Sequence, residues 1–109
     1  MVINMLARIH LYMISLLMLC LSSTAGAANG VSVYQQNCMA CHGEGVAGAP
    51  RVGEAEAWKE RQSKGIDAMV TIVIEGVQGY SGAMPPRGGN PNLSDEQIHA
   101  AVQYMLDQL

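Results

Sequence analysis

The sequence predicts an all-α protein: one small domain of three to four helices, with crossed N- and C-terminal helices, that follows a short apolar leader. Three observations support this class. The chain has 109 residues, which is enough for one domain at most. After residue 29, apolar residues recur at helical spacing in four separate segments. Clusters of glycine and proline interrupt the chain between those segments, as loops between helices require.

The leader is an apolar run from Ile9 to Leu21, preceded by a basic residue and followed by serine, threonine and small residues. This is the layout of a secretory signal peptide. A membrane-spanning helix needs about 20 apolar residues, so this run is too short to cross a bilayer comfortably. We predict that residues 1–27 are a cleaved signal peptide, cut after Ala27 or Ala28, and that residues 28–109 form the mature domain.

Export would place the mature domain in the periplasm, whereas a retained leader would associate it with the membrane. Lipid attachment at Cys20 is disfavoured, because the bulky Leu19 stands where such a cleavage site needs a small residue. The mature domain carries five basic and nine acidic residues, a net charge of −4. Nucleic acid is therefore not expected as a partner, since binding it calls for a basic face.

Residues Gly30 to His42 are predicted to form the first helix of the domain, which ends in the sequence Cys38-Met39-Ala40-Cys41-His42. The spacing C-x-x-C-H is the attachment sequence of c-type haem. Cysteines three residues apart on a helix project from one face, so both thiols can add to vinyl groups on one edge of a porphyrin. The histidine then meets the iron. Because the sequence has one such motif, we predict one covalently attached haem c per chain.

Three other interpretations of this cysteine pair remain. A thioredoxin-like redox pair would want a βαβ context, and no convincing strand precedes Cys38. A zinc site needs four ligands, and only His99 could join the three of the motif in the mature domain. A structural disulfide would suit an oxidising compartment but leaves the adjacent histidine unexplained. Haem also supplies the planar apolar body that a small domain without phenylalanine lacks.

A turn-rich loop from Gly43 to Arg51 follows the first helix, because glycines end that helix. A buried axial histidine normally donates its second ring N–H to a carbonyl oxygen, which fixes the orientation of the ring. The carbonyl of Pro50 is a candidate for this acceptor. An ordinary loop proline is the alternative.

Two further helices are predicted in the middle of the domain. The charged segment from Glu54 to Lys64 surrounds Trp58 and ends at a glycine. The segment from Asp67 to Glu75 has apolar residues at helical spacing, although its β-branched residues weaken the helical signal.

The second axial ligand of the iron decides between an electron carrier and a gas-binding or catalytic site. The mature domain offers five candidates, namely Met39, Met69, Met84, Met105 and His99. Met39 lies between the attachment cysteines and cannot reach the opposite face of the haem. Met69 and Met105 fall on apolar faces of predicted helices, where methionine usually fills the core. His99 lies beside the apolar stripe of the last helix; it is predicted to be solvated and is the second choice as a ligand.

Met84 lies in a segment, Tyr80 to Pro86, that has no helical periodicity and is predicted to be a loop. Two prolines directly follow the methionine and stiffen the chain, so its sulfur could be held at a fixed distance from the iron with little loss of entropy. We therefore predict Met84 as the second axial ligand. The alternative is a methionine that packs beneath a turn.

The last helix follows another loop, Arg87 to Asn92, and begins with Ser94 and Gln97 in the positions of a capping box. Its apolar stripe consists of Ile98, Ala101, Val102, Met105 and Leu106.

The first and last helices of the domain each have one apolar face, and crossing them would bury both faces. The expected contacts join Val31 and Tyr34 with Val102 and Met105. The small residues Gly30 and Ala101 would permit close approach at the crossing point.

The mature domain resembles the class I cytochromes c, and more narrowly the bacterial cytochrome c5 family. The matching stretches cover nearly all of it: CMACHGEGVAGAP from Cys38 to Pro50, the segment Trp58 to Arg61, AMPPRGG from Ala83 to Gly89, and the LSDEQIHAAVQYM ending. Trp58 and Arg61 match a segment close to the haem propionates, with surface packing as the alternative for both.

This resemblance implies the small class I cytochrome c fold around one covalent haem. It implies thioether bonds at Cys38 and Cys41, proximal ligation of the iron by His42 and distal ligation by Met84. Pro50 matches the family proline whose carbonyl supports the proximal histidine.

The terminal helices and one loop complete the comparison with the family. Tyr34 and Tyr104 match its aromatic contacts between the terminal helices. Many members carry a second C-x-x-C pair where this chain has Asn90 and Leu93, so their extra disulfide is absent here.

The predicted function is one-electron transfer in the periplasm by an iron that cycles between the ferric and ferrous states, and the protein is not expected to be an enzyme. The expected partners are an electron donor and an electron acceptor, by family analogy membrane-bound respiratory complexes, in transient complexes without a small-molecule substrate. The alternative is a haem-based gas sensor, or a small haem subunit of an enzyme, in which Met84 leaves the iron to admit a gas or peroxide.

Overall fold

The structure is a computed structural model that describes residues 2–19, 25–79 and 82–109. The described part of the chain contains six α-helices, a two-stranded antiparallel ribbon and two 3₁₀ turns. In chain order the elements are α1 (Val2–Leu19), α2 (Ala25–Asn37), α3 (Met39–His42), the turn Val46–Gly48, α4 (Ala55–Gln62), α5 (Ile66–Glu75), β1 (Val77–Gly79), β2 (Gly82–Met84), the turn Pro86–Gly89 and α6 (Asp95–Asp107).

Helix α1 carries most of the apolar leader, and large apolar side chains such as Leu11 and Tyr12 are exposed on it. Within the described residues, no helix combines the length and the apolar character that a membrane crossing requires. Cys20 and the polar residues before the predicted cut lie outside the described residues. The signal peptide and its cleavage after Ala27 or Ala28 stay predictions.

The predicted helix Gly30–His42 is two helices in the structure, so the prediction of one continuous helix was wrong. Helix α2 begins five residues earlier, at Ala25, and ends at Asn37. Cys38, between the two helices, has a φ of −119°, far from the helical value of about −63°. A single backbone rotation of this kind leaves the apolar spacing unchanged, which is why the sequence pattern does not reveal it.

Helices α2 and α6 cross as predicted, and their contact is the most extensive between helices in the described chain. Gly30 is buried at the crossing, where a Cβ atom would clash with the carbonyl oxygen of Ala100. The predicted partner, Ala101, is also buried, with 2% of its surface accessible. The close approach at Gly30 is therefore confirmed, and the nearest atoms on α6 belong to Ala100, the residue before Ala101.

Tyr34, Val102 and Met105 are buried at this interface, in agreement with the prediction, whereas Val31 is only half-buried and Val33 is buried instead. The ten buried apolar residues of the core are Val33, Tyr34, Trp58, Met69, Val70, Leu93, Ile98, Ala101, Val102 and Met105. The aromatic contact between the terminal helices is present, with the ring centroids of Tyr34 and Tyr104 5.2 Å apart.

The two middle helices are confirmed with small changes at their ends. Helix α4 buries Trp58, and α5 buries Met69 and Val70 against the core. Gly65, which separates the two helices, has a φ of +83°, a conformation that favours glycine. Both helices therefore contribute one face to the same interior.

Residues 82–84 form a strand rather than the predicted loop. Strand β2 pairs with β1 in antiparallel register, with Met84 opposite Val77. Three residues a strand are too few to produce an alternating pattern, so the sequence carries no signal for this ribbon. Tyr80 and Ser81, the first two residues of the predicted loop, lie outside the described residues.

The chain after the ribbon also differs from the predicted loop, because Pro86–Gly89 is a 3₁₀ turn. The capping box that follows it is confirmed. The Gln97 backbone N–H donates to Ser94 Oγ at 3.2 Å, and the Ser94 N–H donates to Gln97 Oε1 at 2.9 Å. These two bonds fix the start of α6, the helix that carries four of the ten core residues.

Candidate functional site

The C-x-x-C-H motif occupies a single helical turn between α2 and the loop that follows. Cys38 is half-buried just before α3, Cys41 is exposed, and His42 is buried with 9% of its surface accessible. The backbone N–H groups of Cys41 and His42 both donate to the carbonyl oxygen of Cys38, at 3.2 and 2.9 Å. The turn therefore holds two thiols and one imidazole in a compact group.

The imidazole of His42 is oriented by the loop that follows it. The carbonyl oxygen of Pro50 lies 2.9 Å from His42 Nδ1. A carbonyl can only accept a hydrogen bond, so Nδ1 carries the proton and Nε2 keeps a lone pair for a metal. The backbone N–H of Val52 also donates to the His42 carbonyl at 2.8 Å, which closes the loop onto the motif.

Trp58 supports the same histidine from α4. Its ring centroid lies 5.7 Å from that of His42, with the planes inclined by 44°. Its Nε1–H donates to the carbonyl oxygen of Arg51 at 2.7 Å, next in the chain to Pro50. The family resemblance predicts Trp58 near the haem propionates; the structure adds a contact with the histidine ring that has no sequence signal.

A cavity of about 410 Å³ adjoins the motif. This volume is within the range of about 300–1,000 Å³ that is usual for cofactor sites. The motif contributes Cys38, Cys41 and His42 to the lining, and the ribbon contributes Met84. The remaining lining is mostly apolar and includes Val33, Met69, Ile98, Ala101, Val102 and Met105. A large apolar cavity with two thiols and a histidine on its wall fits a flat, covalently attached haem.

Charged side chains also line this cavity, and three of the four are basic: Arg61, Lys64 and Arg87, with Glu60. Basic groups at the edge of an apolar cavity suit the carboxylate end of a haem. Arg61 donates to the Ala57 carbonyl of its own helix, so its guanidinium is already partly engaged. Of these, Arg61 was predicted from the family resemblance, whereas Lys64 and Arg87 were not, because an isolated basic residue carries no pattern.

The cavity separates the candidates for the second axial ligand. Met84, Met69 and Met105 line it, whereas Met39, 47% exposed, and the exposed His99 do not. Met69 and Met105 are buried members of the core, as expected for methionines on apolar helix faces. Met84 is half-buried at the end of β2 and is the candidate that lies outside the helices.

Glycine at position 76 allows Met84 to sit where it does. Gly76 has a φ of +80°, and a Cβ atom there would lie 2.9 Å from the Met84 carbonyl oxygen and 2.8 Å from the backbone nitrogen of Pro86. Any side chain at this position would push the ribbon and the prolines away from α5. The close approach therefore fixes the backbone that follows Met84.

Before attachment, the two thiols differ in environment. Burial, together with the neighbouring Cys41, raises the pKa of the Cys38 thiol to about 11. The thiolate is the nucleophilic form of cysteine, so the Cys38 thiol is poorly reactive in the folded chain.

Comparison with known proteins gives a consistent result. Residues 25–105 match the family described as "Cytochrome C oxidase, cbb3-type, subunit III". The chain is 45% identical over 82 residues to cytochrome c-555 of Chlorobaculum thiosulfatiphilum, which covers 75% of this chain and 95% of that protein. It is 38% identical over 86 residues to cytochrome c5 of Ectopseudomonas mendocina, which covers 77% of this chain and 94% of the relative.

A solved structure is also similar to this chain. It is titled "Crystal structure of electron transfer complex of nitrite reductase with cytochrome c". The TM-score is 0.66 at 38% sequence identity, and the match covers 73% of this chain and 93% of the chain in that structure. At this identity the likeness extends to the sequence as well as to the fold.

Proposed function

The chain belongs to the class I cytochromes c of the c5 type, whose members carry covalently attached haem c, and on this premise we propose that it is a one-electron carrier of the periplasm. When bound, the haem supplies one iron that alternates between the ferric and ferrous states. The contact that carries the proposal is the hydrogen bond from His42 Nδ1 to the Pro50 carbonyl, which leaves Nε2 free for that iron.

The chain's own residues would hold the haem on one side through three groups. Cys38 and Cys41 would form the thioether bonds, and His42 would be the proximal ligand. The Pro50 carbonyl and the Trp58 ring restrict rotation of the imidazole, so the ligand needs little rearrangement when the iron changes charge. Small rearrangement favours fast electron transfer over chemistry at the metal.

On the other side, Met84 would be the distal ligand. Its backbone is fixed by pairing with Val77, by the close approach of Gly76 and by Pro85 and Pro86 behind it. A thioether ligand favours the ferrous state and raises the reduction potential. With both axial positions filled by the chain, no position on the iron would be open to a substrate, which supports a carrier rather than an enzyme.

Electrons would enter and leave at the attachment edge of the haem. Cys41 is exposed, and the apolar side chains of Met39 and Val46, within five residues of it in the sequence, are about half exposed, at 47% and 51%. A small apolar surface of this kind suits the weak, transient contacts of redox proteins. We propose that the partners are an electron donor and an electron acceptor of respiratory type; the similar cytochrome in the nitrite reductase complex supports protein partners.

The periplasmic location follows from the proposed signal peptide. The family match begins at residue 25, within a few residues of the proposed cut after Ala27 or Ala28. Cleavage there would remove the first three or four residues of α2 but leave Gly30 and its contact with α6. N-terminal sequencing of protein purified from the periplasm would identify the cut, and a mature chain that begins at Met1 would contradict it.

Voltammetry of the holoprotein adsorbed on an electrode tests the carrier function. We expect a reversible one-electron wave that does not change when peroxide, nitrite or carbon monoxide is added. A carrier returns each electron to the electrode, so the oxidative and reductive charges should be equal. A catalytic current with peroxide or nitrite would contradict the proposal and favour an enzyme. A shift of the wave to higher potential with carbon monoxide would contradict it and favour a sensor.

A further inference from the structure

Two asparagines connect the end of α2 with the loop that follows Met84. Asn90 Nδ2–H donates to Asn37 Oδ1 at 2.9 Å. Asn37 Nδ2–H in turn donates to the Val33 carbonyl oxygen at 3.0 Å, one turn back on α2. The backbone N–H of Asn92 donates to Asn90 Oδ1 at 3.0 Å. The four groups form one continuous chain of hydrogen bonds from helix backbone to loop backbone.

This pair is unusual in the distance along the chain that it bridges. Asn37 and Asn90 are 53 residues apart, whereas every other side-chain hydrogen bond described for residues 2–19, 25–79 and 82–109 joins residues eight positions apart or fewer. Both side chains are half-buried, and Asn37 lines the cavity. Partial burial shields the bond from competing water, and a neutral hydrogen bond so placed contributes more than an exposed one.

Hydrogen bonds within the loop connect Asn90 back to the residues next to Met84. Backbone N–H groups donate from Gly88 to Pro85 at 3.1 Å and from Asn90 to Arg87 at 3.1 Å. Gly88 also lies against the end of α2, where a Cβ atom would be 3.4 Å from the Asn37 carbonyl oxygen. A fixed Asn90 therefore restricts the position of Pro85, the residue bonded to Met84.

At its other end the bond reaches the attachment motif, because Asn37 directly precedes Cys38. We propose that Asn37 and Asn90 form a clasp, the amide clasp, that positions the Met84 segment against the motif and slows the departure of the sulfur from the iron. The two asparagines are positioning residues, and neither is proposed as a ligand of the iron. This inference rests on the proposed ligation by Met84.

The test measures how fast imidazole replaces Met84 in the ferric holoprotein. At saturating imidazole, the observed rate approaches the rate at which the sulfur leaves the iron. We expect Asn90→Ala and Asn37→Ala each to raise this rate about threefold to tenfold, the effect of one neutral hydrogen bond. The double variant should be no faster than the faster single variant, because both substitutions remove the same bond.

Two variants distinguish loss of the Asn37–Asn90 hydrogen bond from a general loosening of the loop. Asn92→Ala keeps the backbone N–H that bonds to Asn90 and should exchange ligands at the unmodified rate. Asn37→Asp keeps an acceptor for Asn90 Nδ2–H and should retain most of the slow exchange. Hydrogen exchange provides a readout independent of the iron: the Asn92 amide should exchange faster in Asn90→Ala, while the Val52 amide, bonded to His42, should not change.

The outcomes distinguish the clasp from the proposed function. If the unmodified protein resists imidazole and Asn90→Ala binds it at the same rate, the clasp is wrong and the ligand assignment stands. If the two single effects multiply in the double variant, the asparagines act separately and the clasp is also wrong. If the unmodified protein already binds carbon monoxide rapidly after reduction, the assignment of Met84 fails, and the clasp fails with it.

Discussion

The two proposed axial ligands lie on the wall of one cavity but are supported in different ways. His42 is buried and contacts three residues that follow it within 16 positions: Pro50, Val52 and Trp58. Met84 is half-buried, at the end of a three-residue strand. Its support comes from its strand partner, from the close approach of Gly76 after α5 and, through the loop, from the amide clasp.

This difference indicates which ligand should exchange. The histidine belongs to a turn that would carry two covalent bonds to the haem, and a buried ring contact limits its motion. The methionine depends on single hydrogen bonds, each contributing about 0.5–1.5 kcal/mol. Perturbation of the protein should therefore release the Met84 sulfur from the iron first. His42 should leave the iron only when haem attachment or folding is lost.

The largest effect is expected on the histidine side, for Cys41→Ala. Because the Cys41 side chain is exposed, its removal deletes almost no packing and acts through the missing thioether bond. The yield of haem-containing protein should fall severely, since a small domain of this kind depends on its cofactor to fold. Haem content after denaturing electrophoresis, with mass spectrometry of the product, measures this loss.

Met39→Ala is the matched control, because Met39 is also exposed and lies between the two cysteines. That variant should attach haem normally. Recovery of Cys41→Ala with the yield and stability of the unmodified protein would contradict the attachment scheme.

The next largest effect is expected for Met84→Ala, and it distinguishes Met84 from the other methionines that line the cavity. Met84→Ala should keep the covalent haem but lose the ferric sulfur-to-iron absorption band and lower the reduction potential. Met69→Ala, which empties a buried core position, should cost about 2–5 kcal/mol of the free energy of unfolding and keep the band. Visible spectra and urea titrations distinguish the two patterns, and a retained band in Met84→Ala would exclude this residue as the ligand.

A smaller effect is expected for Trp58→Phe. The substitution keeps an aromatic ring near His42 but removes the N–H that donates to the Arg51 carbonyl. We expect the free energy of unfolding to fall by about 1 kcal/mol, while the sulfur-to-iron band and the His42–Pro50 bond persist. Loss of the band in this variant would show that the two sides of the cavity are not supported independently.

The smallest effects are expected for two arginines, Arg87 on the Met84 side of the cavity and Arg51 on the His42 side. Arg87 is largely covered, with 27% of its side chain exposed, and donates to the Leu93 carbonyl at 2.7 Å and to Asp95 at 2.8 Å. Arg87→Gln should lower the free energy of unfolding by about 1 kcal/mol. Arg51→Gln breaks an exposed ion pair with Glu54 and should change it by less than about 0.5 kcal/mol. Equal losses in urea titrations would contradict this ranking.

The same contrast explains what the sequence could predict. On the histidine side, covalent chemistry sets the spacing of Cys38, Cys41 and His42, and the acceptor at Pro50 lies eight residues from its donor. Local constraints of this kind leave a recognisable pattern. The capping box at Ser94 and the buried apolar stripe of α6 were predictable for the same reason.

The methionine side was less predictable because its support is distant in sequence. Strand β2 is too short to show a period, and pairing between Asn37 and Asn90 leaves no pattern across 53 residues. The nearest approach to Gly30 comes from the backbone of Ala100, next to the predicted Ala101, and the order of two adjacent residues at a helix crossing is set by the tertiary packing. In each case a residue type was visible in the sequence, but its partner was set by the tertiary fold.

The amide clasp also bears on the departure from the family pattern at Asn90. The resemblance noted from the sequence would place a second C-x-x-C pair at positions 90 and 93, where this chain has Asn90 and Leu93. In this chain Asn90 is bonded to α2. The loop is therefore anchored across the domain by hydrogen bonds, and its stability should be more sensitive to denaturant than to reductant.

The central claim is that both axial positions of the iron are filled by this chain, by His42 and Met84. The most direct measurement is the visible spectrum of the exported holoprotein, first oxidised, then reduced, with carbon monoxide added last. We predict a low-spin c-type spectrum with the ferric sulfur-to-iron band, and a reduced spectrum that carbon monoxide leaves unchanged. Rapid binding of carbon monoxide by the native reduced protein would contradict this claim and identify an open or displaceable sixth position.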